Sequence, residues 1–294
     1  MNSRISLRGA YDLHIHSAPS IYPRYITDEE AAVQAREAGL AGIMIKCHFE
    51  STVSRAQLVN RLVPEVKTYG GVVLNGFVGG LNVQMVEAVL DQGAKQIWFP
   101  TMDSAEHRRV FGSVGSYGVA SMDSEGQGSG SQGISVVSQS GDLLPETRRI
   151  IELVREHNAI LGTCHLSRGE LRAVASYAGT IGAKTLITHP FFAVPNLSKD
   201  ELRELTDLGA TAELLAITAF NLPTPHRAEL KAIHQAIVEI GVGKIIISSD
   251  GGQPFNPMPS EALRVYAESL FELGISATDL RTMMIENPER MLSE

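Results

Sequence analysis

The stretch Tyr11-Asp12-Leu13-His14-Ile15-His16 decides how this chain is read. It is an apolar run that ends in two histidines, two residues apart. On a strand such residues point to the same face, because side chains alternate with period two. Two imidazoles side by side form half of a metal site. The pattern recurs in Met44-Ile45-Lys46-Cys47-His48 and in Leu161-Gly162-Thr163-Cys164-His165. It recurs again in Leu186-Ile187-Thr188-His189 and in Ile245-Ile246-Ile247-Ser248-Ser249-Asp250. Each run ends in residues that can bind metal or move protons. Ionisable residues gathered at the carboxyl ends of apolar strands are expected of a barrel enzyme with its site at one rim.

Between these runs the sequence predicts helices. Strands are expected over 11–16, 42–48, 72–78, 96–102, 160–165, 185–189, 211–216 and 244–250. Helices are expected over 27–39, 53–69, 83–93, 145–157, 169–177, 198–208 and 227–240, with closing helices over 260–273 and 278–286. Thr27 with Glu30, and Ser198 with Glu201, have the spacing of a capping box. About eight strands separated by helices predict an α/β chain folded as one (β/α)8 TIM barrel, a single domain over 1–294. A doubly wound open sheet lacks support, because no Gly-x-Gly-x-x-Gly element follows an early strand. A long Gly/Ser-rich loop over 112–141 follows the fourth strand. Its position favours a mobile lid over a neutral insertion, with a small hairpin near Ile134-Ser135-Val136-Val137 at its end.

With 294 residues and 44% hydrophobic content the chain can bury one large core. A net charge of -8 without a basic block speaks against nucleic acid as a partner. No apolar run reaches the ~20 residues of a membrane helix, and the first residues lack the apolar core of a secretory signal. A cytoplasmic protein acting on a small molecule is expected, and a homo-oligomer is compatible with it. Cys47 and Cys164 each precede a histidine, so alternation predicts buried thiols turned away from the barrel interior.

If His14 and His16 face inward, Asp12 shares their face, and Lys46 and His48 share another. The rim then gathers His14, His16, Lys46, His48, His165, His189 and Asp250. Imidazole and carboxylate suit zinc best, with manganese or iron as options. Lys46 can be a carboxylated ligand, a binder of a substrate carboxylate, or the ion-pair partner of Asp12 or Glu213; a charged lysine in the pocket is favoured. Glu213 is read as a paired barrel carboxylate, and Arg24 as either an anion clamp or a solvated loop residue. His107, His157, His226 and His234 are read as structural or surface histidines.

The order of His-x-His on the first strand, His on the fifth, His on the sixth and Asp on the eighth resembles the amidohydrolase superfamily of metal-dependent barrel hydrolases. The ending Ile285-Glu286-Asn287-Pro288-Glu289-Arg290-Met291-Leu292 is similar to one common there. The runs around His14, Lys46 and His165 look like a poorly characterised subgroup of unknown function. The resemblance implies that His14, His16, His165, His189 and Asp250 hold one or two divalent ions. It also implies that Asp250 shuttles a proton while His165 or His189 acts on the substrate oxygen. The sequence departs from the superfamily at the fourth strand, which offers no bridging lysine; Lys46 lies on the second. The expected activity is hydrolysis of an amide, ester or lactone by a metal-activated water. The alternatives are single-metal decarboxylation of a small acid and non-catalytic small-molecule binding.

Overall fold

The computed structural model describes residues 5–116, 132–219 and 229–293. The chain alternates parallel strands with helices, beginning with β1 (Tyr11–Ile15), α1 (Asp28–Ala38), β2 (Gly42–Ile45) and α2 (Val53–Leu62). It continues through β3 (Lys67–Tyr69), β4 (Gly71–Val73), α3 (Val83–Asp91), β5 (Gln96–Trp98) and α4 (Ala105–Phe111). Then come α5 (Pro145–Glu156), β6 (Ile160–Gly162), α6 (Arg168–Ile181), β7 (Lys184–Thr188) and α7 (Lys199–Asp207). The last part holds β8 (Thr211–Leu215), α8 (Ala216–Ala219), α9 (Leu230–Ile240), β9 (Ile245–Ser248), α10 (Pro259–Glu272), α11 (Ala277–Arg281) and α12 (Asn287–Leu292). Both expected capping boxes form, at Thr27 with Glu30 and at Ser198 with Glu201, and a third forms at Ser167 with Glu170. Each satisfies backbone N–H groups that an open helix start leaves bare.

The strands form two parallel sheets, β1-β2-β3 and β4-β5-β6-β7-β8-β9. The sheets share one extended segment. Its first half pairs with β2 and its second with β5, and the break falls at Gly70. At the other end Ile15 bridges Gly251, the His16 N–H donates to the Gly251 carbonyl and the Asp250 N–H donates to the His14 carbonyl. These bonds hold the ends of β1 and β9 side by side. Alternate residues feed two apolar layers. Leu13, Met44, Val73, Trp98, Leu186 and Ile246 meet in one cluster. Ile43, Ile97, Leu161, Ile187 and Ile247 pack outward against the helices. Strands buried on both faces read as continuous apolar runs, as these do.

Three segments differ from expectation. The helix expected over 53–69 ends at Leu62. Pro64 has no N–H and pushes Val63 out of the helical region, so residues 67–69 form a strand instead. The strand expected over 72–78 ends at Val73 and turns into a short 3₁₀ helix, Gly76–Val78. Asn75 ends it by donating to the His48 carbonyl and accepting from the Thr101 N–H. Helix α4 was not expected; Ser104 caps it by accepting from the His107 N–H.

The middle of the Gly/Ser-rich loop, 117–131, and with it the expected lid, lies outside the described residues. Its end does form the small hairpin, with Val137 antiparallel to Leu143. Buried Val136 anchors that end by donating its N–H to Glu170. Among the described residues no helix is long and apolar enough to cross a membrane.

One ion pair secures the loop between β1 and α1. The Arg55 guanidinium grips both oxygens of Asp28 at 2.7 Å and reaches the Pro19 carbonyl at 3.2 Å. Both side chains are mostly buried, at 13% and 11% exposure. Removing one partner of such a pair strands the other charge. Arg55→Ala should therefore cost about 3 kcal/mol in urea unfolding. A loss below about 1 kcal/mol would show the pair to be solvated and weak.

Candidate metal and active site

The site begins with an irregularity. The register of β1 against β2 shifts between Asp12 and Ile15. Leu13 lies in the inner cluster and Ile15 in the outer one, yet His14 also lines the central cleft. Strict alternation cannot put neighbouring residues 13 and 14 on one side; the bulge does. It also corrects the placing of Asp12, which does not share the cleft face with His14. Asp12 spends its Oδ1 on the backbone N–H groups of His14 and Ser249.

Both first-strand imidazoles are oriented from behind. The Lys46 carbonyl lies 3.0 Å from His16 Nδ1, and Glu213 Oε2 lies 3.3 Å from His14 Nδ1. A carbonyl only accepts, so His16 Nδ1 carries hydrogen; on His14 the Lys46 ammonium, 3.2 Å from Nε2 and able only to donate, leaves the hydrogen to Nδ1. Burial drives His14 down to about 3 and His16 well below the usual histidine range, with nearby cations adding to the effect. Both rings are therefore neutral, and both Nε2 atoms present lone pairs. What they face is Asp250 Oδ1, at 3.5 Å from His14 Nε2 and 3.2 Å from His16 Nε2. The donors that reach this group are Lys46 Nζ, 3.2 Å from His14 Nε2, and Gln253 Nε2, 3.4 Å from Asp250 Oδ1; an ion between the three would satisfy them together.

The geometry fits one. Ligand atoms of His14, His16 and Asp250 lie within 4.8 Å of one another. Two donors about 2.1 Å from a tetrahedral ion stand about 3.4 Å apart. The three residues therefore suit a divalent ion that takes nitrogen and oxygen ligands.

Lys46 lies directly below. Its Nζ is 3.2 Å from His14 Nε2, 3.4 Å from Cys164 Sγ and 5.6 Å from the Trp98 ring centre. Among the described residues no carboxylate oxygen comes within 4.0 Å of it, so the expected alternatives of an ion pair with Asp12 or Glu213 are not realised. Burial pushes Glu213 up to about 8, against the pull of Lys46 and with the push of Asp250. Cys164 corrects another expectation. It faces the inner cluster rather than the helices, because its backbone is left-handed, at φ 49°, and breaks the alternation. Burial pushes its thiol up to about 11. Cys47 behaves as expected, a buried thiol on the side of Glu50 and Arg55.

The later histidines line the same cleft outside the three-residue group. His189 and Asp250 have left-handed backbones, at φ 35° and 52°, a conformation that costs non-glycine residues about 1–3 kcal/mol and gathers at functional sites. His165 Nδ1 lies 2.8 Å from His107 Nδ1. His48 stacks on His16 at 4.8 Å, and its Nδ1 lies 2.9 Å from Thr101 Oγ1. Burial holds His48, His165 and His189 neutral, the last down to about 3. His107, read as structural or surface from the sequence, is wholly buried against the site. The one signal for it was the Ser104 cap directly after a strand end.

Arg24 and Tyr22, from the loop after β1, line the cleft together with the apolar Phe192 and Ile217. The cleft holds about 600 Å³, its open mouth included. With a cation-ready centre, two cationic side chains and two apolar ones, the site is concave and chemically specific.

The chain belongs to a family of unknown function, DUF6282. The family model matches residues 9–213, which takes in His14, His16, Lys46, His165 and His189. No curated protein matches the chain. In solved structures the fold is shared with enzymes. The probable dipeptidase PvdM from Pseudomonas aeruginosa is 14% identical, with 99% of this chain and 95% of that one covered at a TM-score of 0.63. An organophosphorus hydrolase from Deinococcus radiodurans is 13% identical, with coverage of 100% and 98% and a TM-score of 0.62. A 2,6-dihydroxybenzoate decarboxylase from Rhizobium is 10% identical, with coverage of 97% and 98% and a TM-score of 0.56. The resemblance read from the strand ends thus holds at the level of fold, with an amidohydrolase from Pseudomonas aeruginosa also among the neighbours.

The turn that joins Asp250 to His16 leaves no room for a side chain. A Cβ on Gly252 would lie 1.6 Å from the His16 carbonyl oxygen, and the backbone there is left-handed at φ 115°. Gly252→Ala should pull Asp250 away from the two imidazoles and lower bound metal several-fold in elemental analysis of folded protein. Full metal content in that variant would show the turn to be pliable.

Proposed function

We propose that this protein is a metal-dependent hydrolase of small molecules, cutting an amide, ester or lactone bond with a metal-activated water. The observation that carries the reading is the convergence of the His14 and His16 Nε2 atoms on one oxygen of Asp250, with the three ligand atoms close enough together for a single ion. The same reading takes the two sheets as one closed (β/α)8 barrel of a single domain, supported by the shared segment at Gly70 and the bridge from Ile15 to Gly251. A divalent ion at such a site, zinc by preference for these donors, supplies a Lewis acid and a water whose pKa falls toward ~7.

The chain's own residues do the rest. His14, His16 and Asp250 hold the centre, with one of His165 and His189 completing the set. Asp250 takes the proton of the attacking water and returns it to the leaving group. The other histidine of the pair steadies the substrate oxygen as charge grows on it. Arg24, Lys46 and His48 line the wall where an anionic group of the substrate would lie. Phe192 shields the reacting bond from bulk water. A single three-residue group among the described residues, without a bridging lysine on β5, favours one ion over two. The two buried thiols suit a reducing, cytoplasmic setting.

A second reading has one observation in its favour. Arg24 and Lys46 give a cleft with a single metal group two cationic side chains, which suits release of CO2 from a small carboxylic acid. A panel of amides, esters and lactones, run beside an assay for CO2, separates the two.

The metal is tested directly. Wild-type protein should hold close to one equivalent of divalent metal, and His16→Ala should lose most of it, since too few donors remain. Undiminished metal in a folded His14→Ala/His16→Ala double variant would refute the site. Asp250→Asn should cut turnover at least a hundredfold while changing stability little, because an amide cannot take the water's proton. Unchanged turnover would remove Asp250 from the chemistry.

A further inference from the structure

The hydrogen-bond partners of His107 decide what His165 can do. His107 Nε2 lies 2.7 Å from the Ser116 carbonyl oxygen, which can only accept, so Nε2 carries hydrogen. His107 and His165 face each other through their Nδ1 atoms at 2.8 Å, a contact that holds one hydrogen. Both rings are buried, at 0% and 2% exposure, and burial favours the neutral form. A neutral His107 with hydrogen on Nε2 has a lone pair on Nδ1. The shared hydrogen therefore belongs to His165 Nδ1, and His165 Nε2 is left as a lone pair. The rings stack with centres 5.0 Å apart and planes 14° from parallel, and a flip of His165 would set a carbon against His107 Nδ1 and lose the hydrogen bond.

We propose that His107 is a positioning residue that locks His165 in the Nδ1–H tautomer, so that its remaining nitrogen enters the reaction only as an acceptor. This goes a step beyond the proposed hydrolase and rests on it for the word reaction, but the tautomer itself does not. An acceptor nitrogen can receive a proton or a cation. It cannot donate to a substrate oxygen. Of the two later histidines, the donor role then falls to His189. The lock also has a second end. Ser116 lies within the Gly/Ser-rich stretch that starts at residue 112, so the tautomer of an active-site ring is tied to the backbone of that stretch.

Imidazole ¹⁵N NMR on the purified protein, with metal content measured on the same sample, reads the tautomer directly. His165 should show a protonated, pyrrole-type Nδ1, whether or not a cation sits on Nε2. In His107→Leu the acceptor is gone, and the His165 signals should move toward a mixture of tautomers. His107→Gln supplies an amide oxygen to accept and an amide N–H for Ser116, and should restore the wild-type pattern. A wild-type His165 protonated on Nε2 overturns the proposal, even if neither variant folds. So does a His107→Leu spectrum unchanged from wild type. Absence of metal with the tautomer intact would instead count against the hydrolase reading alone.

Discussion

Everything in this molecule that looks like function depends on three acceptors facing one another. Asp250 Oδ1 lies within 3.5 Å of both His14 Nε2 and His16 Nε2, and each ring is turned to that posture from behind by Glu213 or the Lys46 carbonyl. Left alone, such a cluster sets lone pair against lone pair, relieved in part by hydrogen from Lys46 at His14 Nε2 and from Gln253 at Asp250 Oδ1. The fold nevertheless holds it with strand-end backbone bonds and with left-handed residues that carry strain of their own. Under the proposed reading, an ion at the centre would offset that cost.

The same constraint explains the shape of the first strand. A regular strand would send His14 outward while Leu13 packed inside. The shift in register between Asp12 and Ile15 turns both toward the cleft and leaves Ile15 in the outer layer. Asp12 makes the shift possible by taking the His14 and Ser249 N–H groups that a regular ladder would have paired differently. Burial pushes this carboxyl up to about 7, so the bulge is held by a group that sits uneasily as an anion. Irregular backbone at the reactive end of a strand is where such bulges concentrate.

The strand-and-helix order was legible in the sequence because apolar runs and capping boxes are local signals, and the rim residues were legible because they end those runs. What escaped was set by backbone geometry or distance. Pro64 cut a helix short inside a pattern that otherwise read as continuous. Cys164 was assigned to the wrong side because period-two alternation cannot see a left-handed residue coming. His107 was passed over because it stands on a seven-residue helix next to a Gly/Ser-rich stretch, and its importance lies in a ring fifty-eight positions away. Glu213 reads from the sequence as a paired barrel carboxylate; the fold sets it against the neutral His14 ring, and burial pushes it up to about 8.

Lys46 presses the argument furthest. Its ammonium stands 3.2 Å from the very nitrogen a cation would use. Two like charges about 4 Å apart repel by roughly 4 kcal/mol even at an effective dielectric constant of about 20. A divalent ion and a charged Lys46 therefore compete for the same few ångströms unless an anion enters between or beside them. Under the proposed reading that anion is the substrate, with Arg24 drawing it in. The cationic wall is then an unfavourable feature of the empty site that becomes favourable when ligand arrives. Binding energy of that kind orients a substrate without deepening the resting state, and it lets one buried lysine set both the charge of the substrate and the side from which it is held.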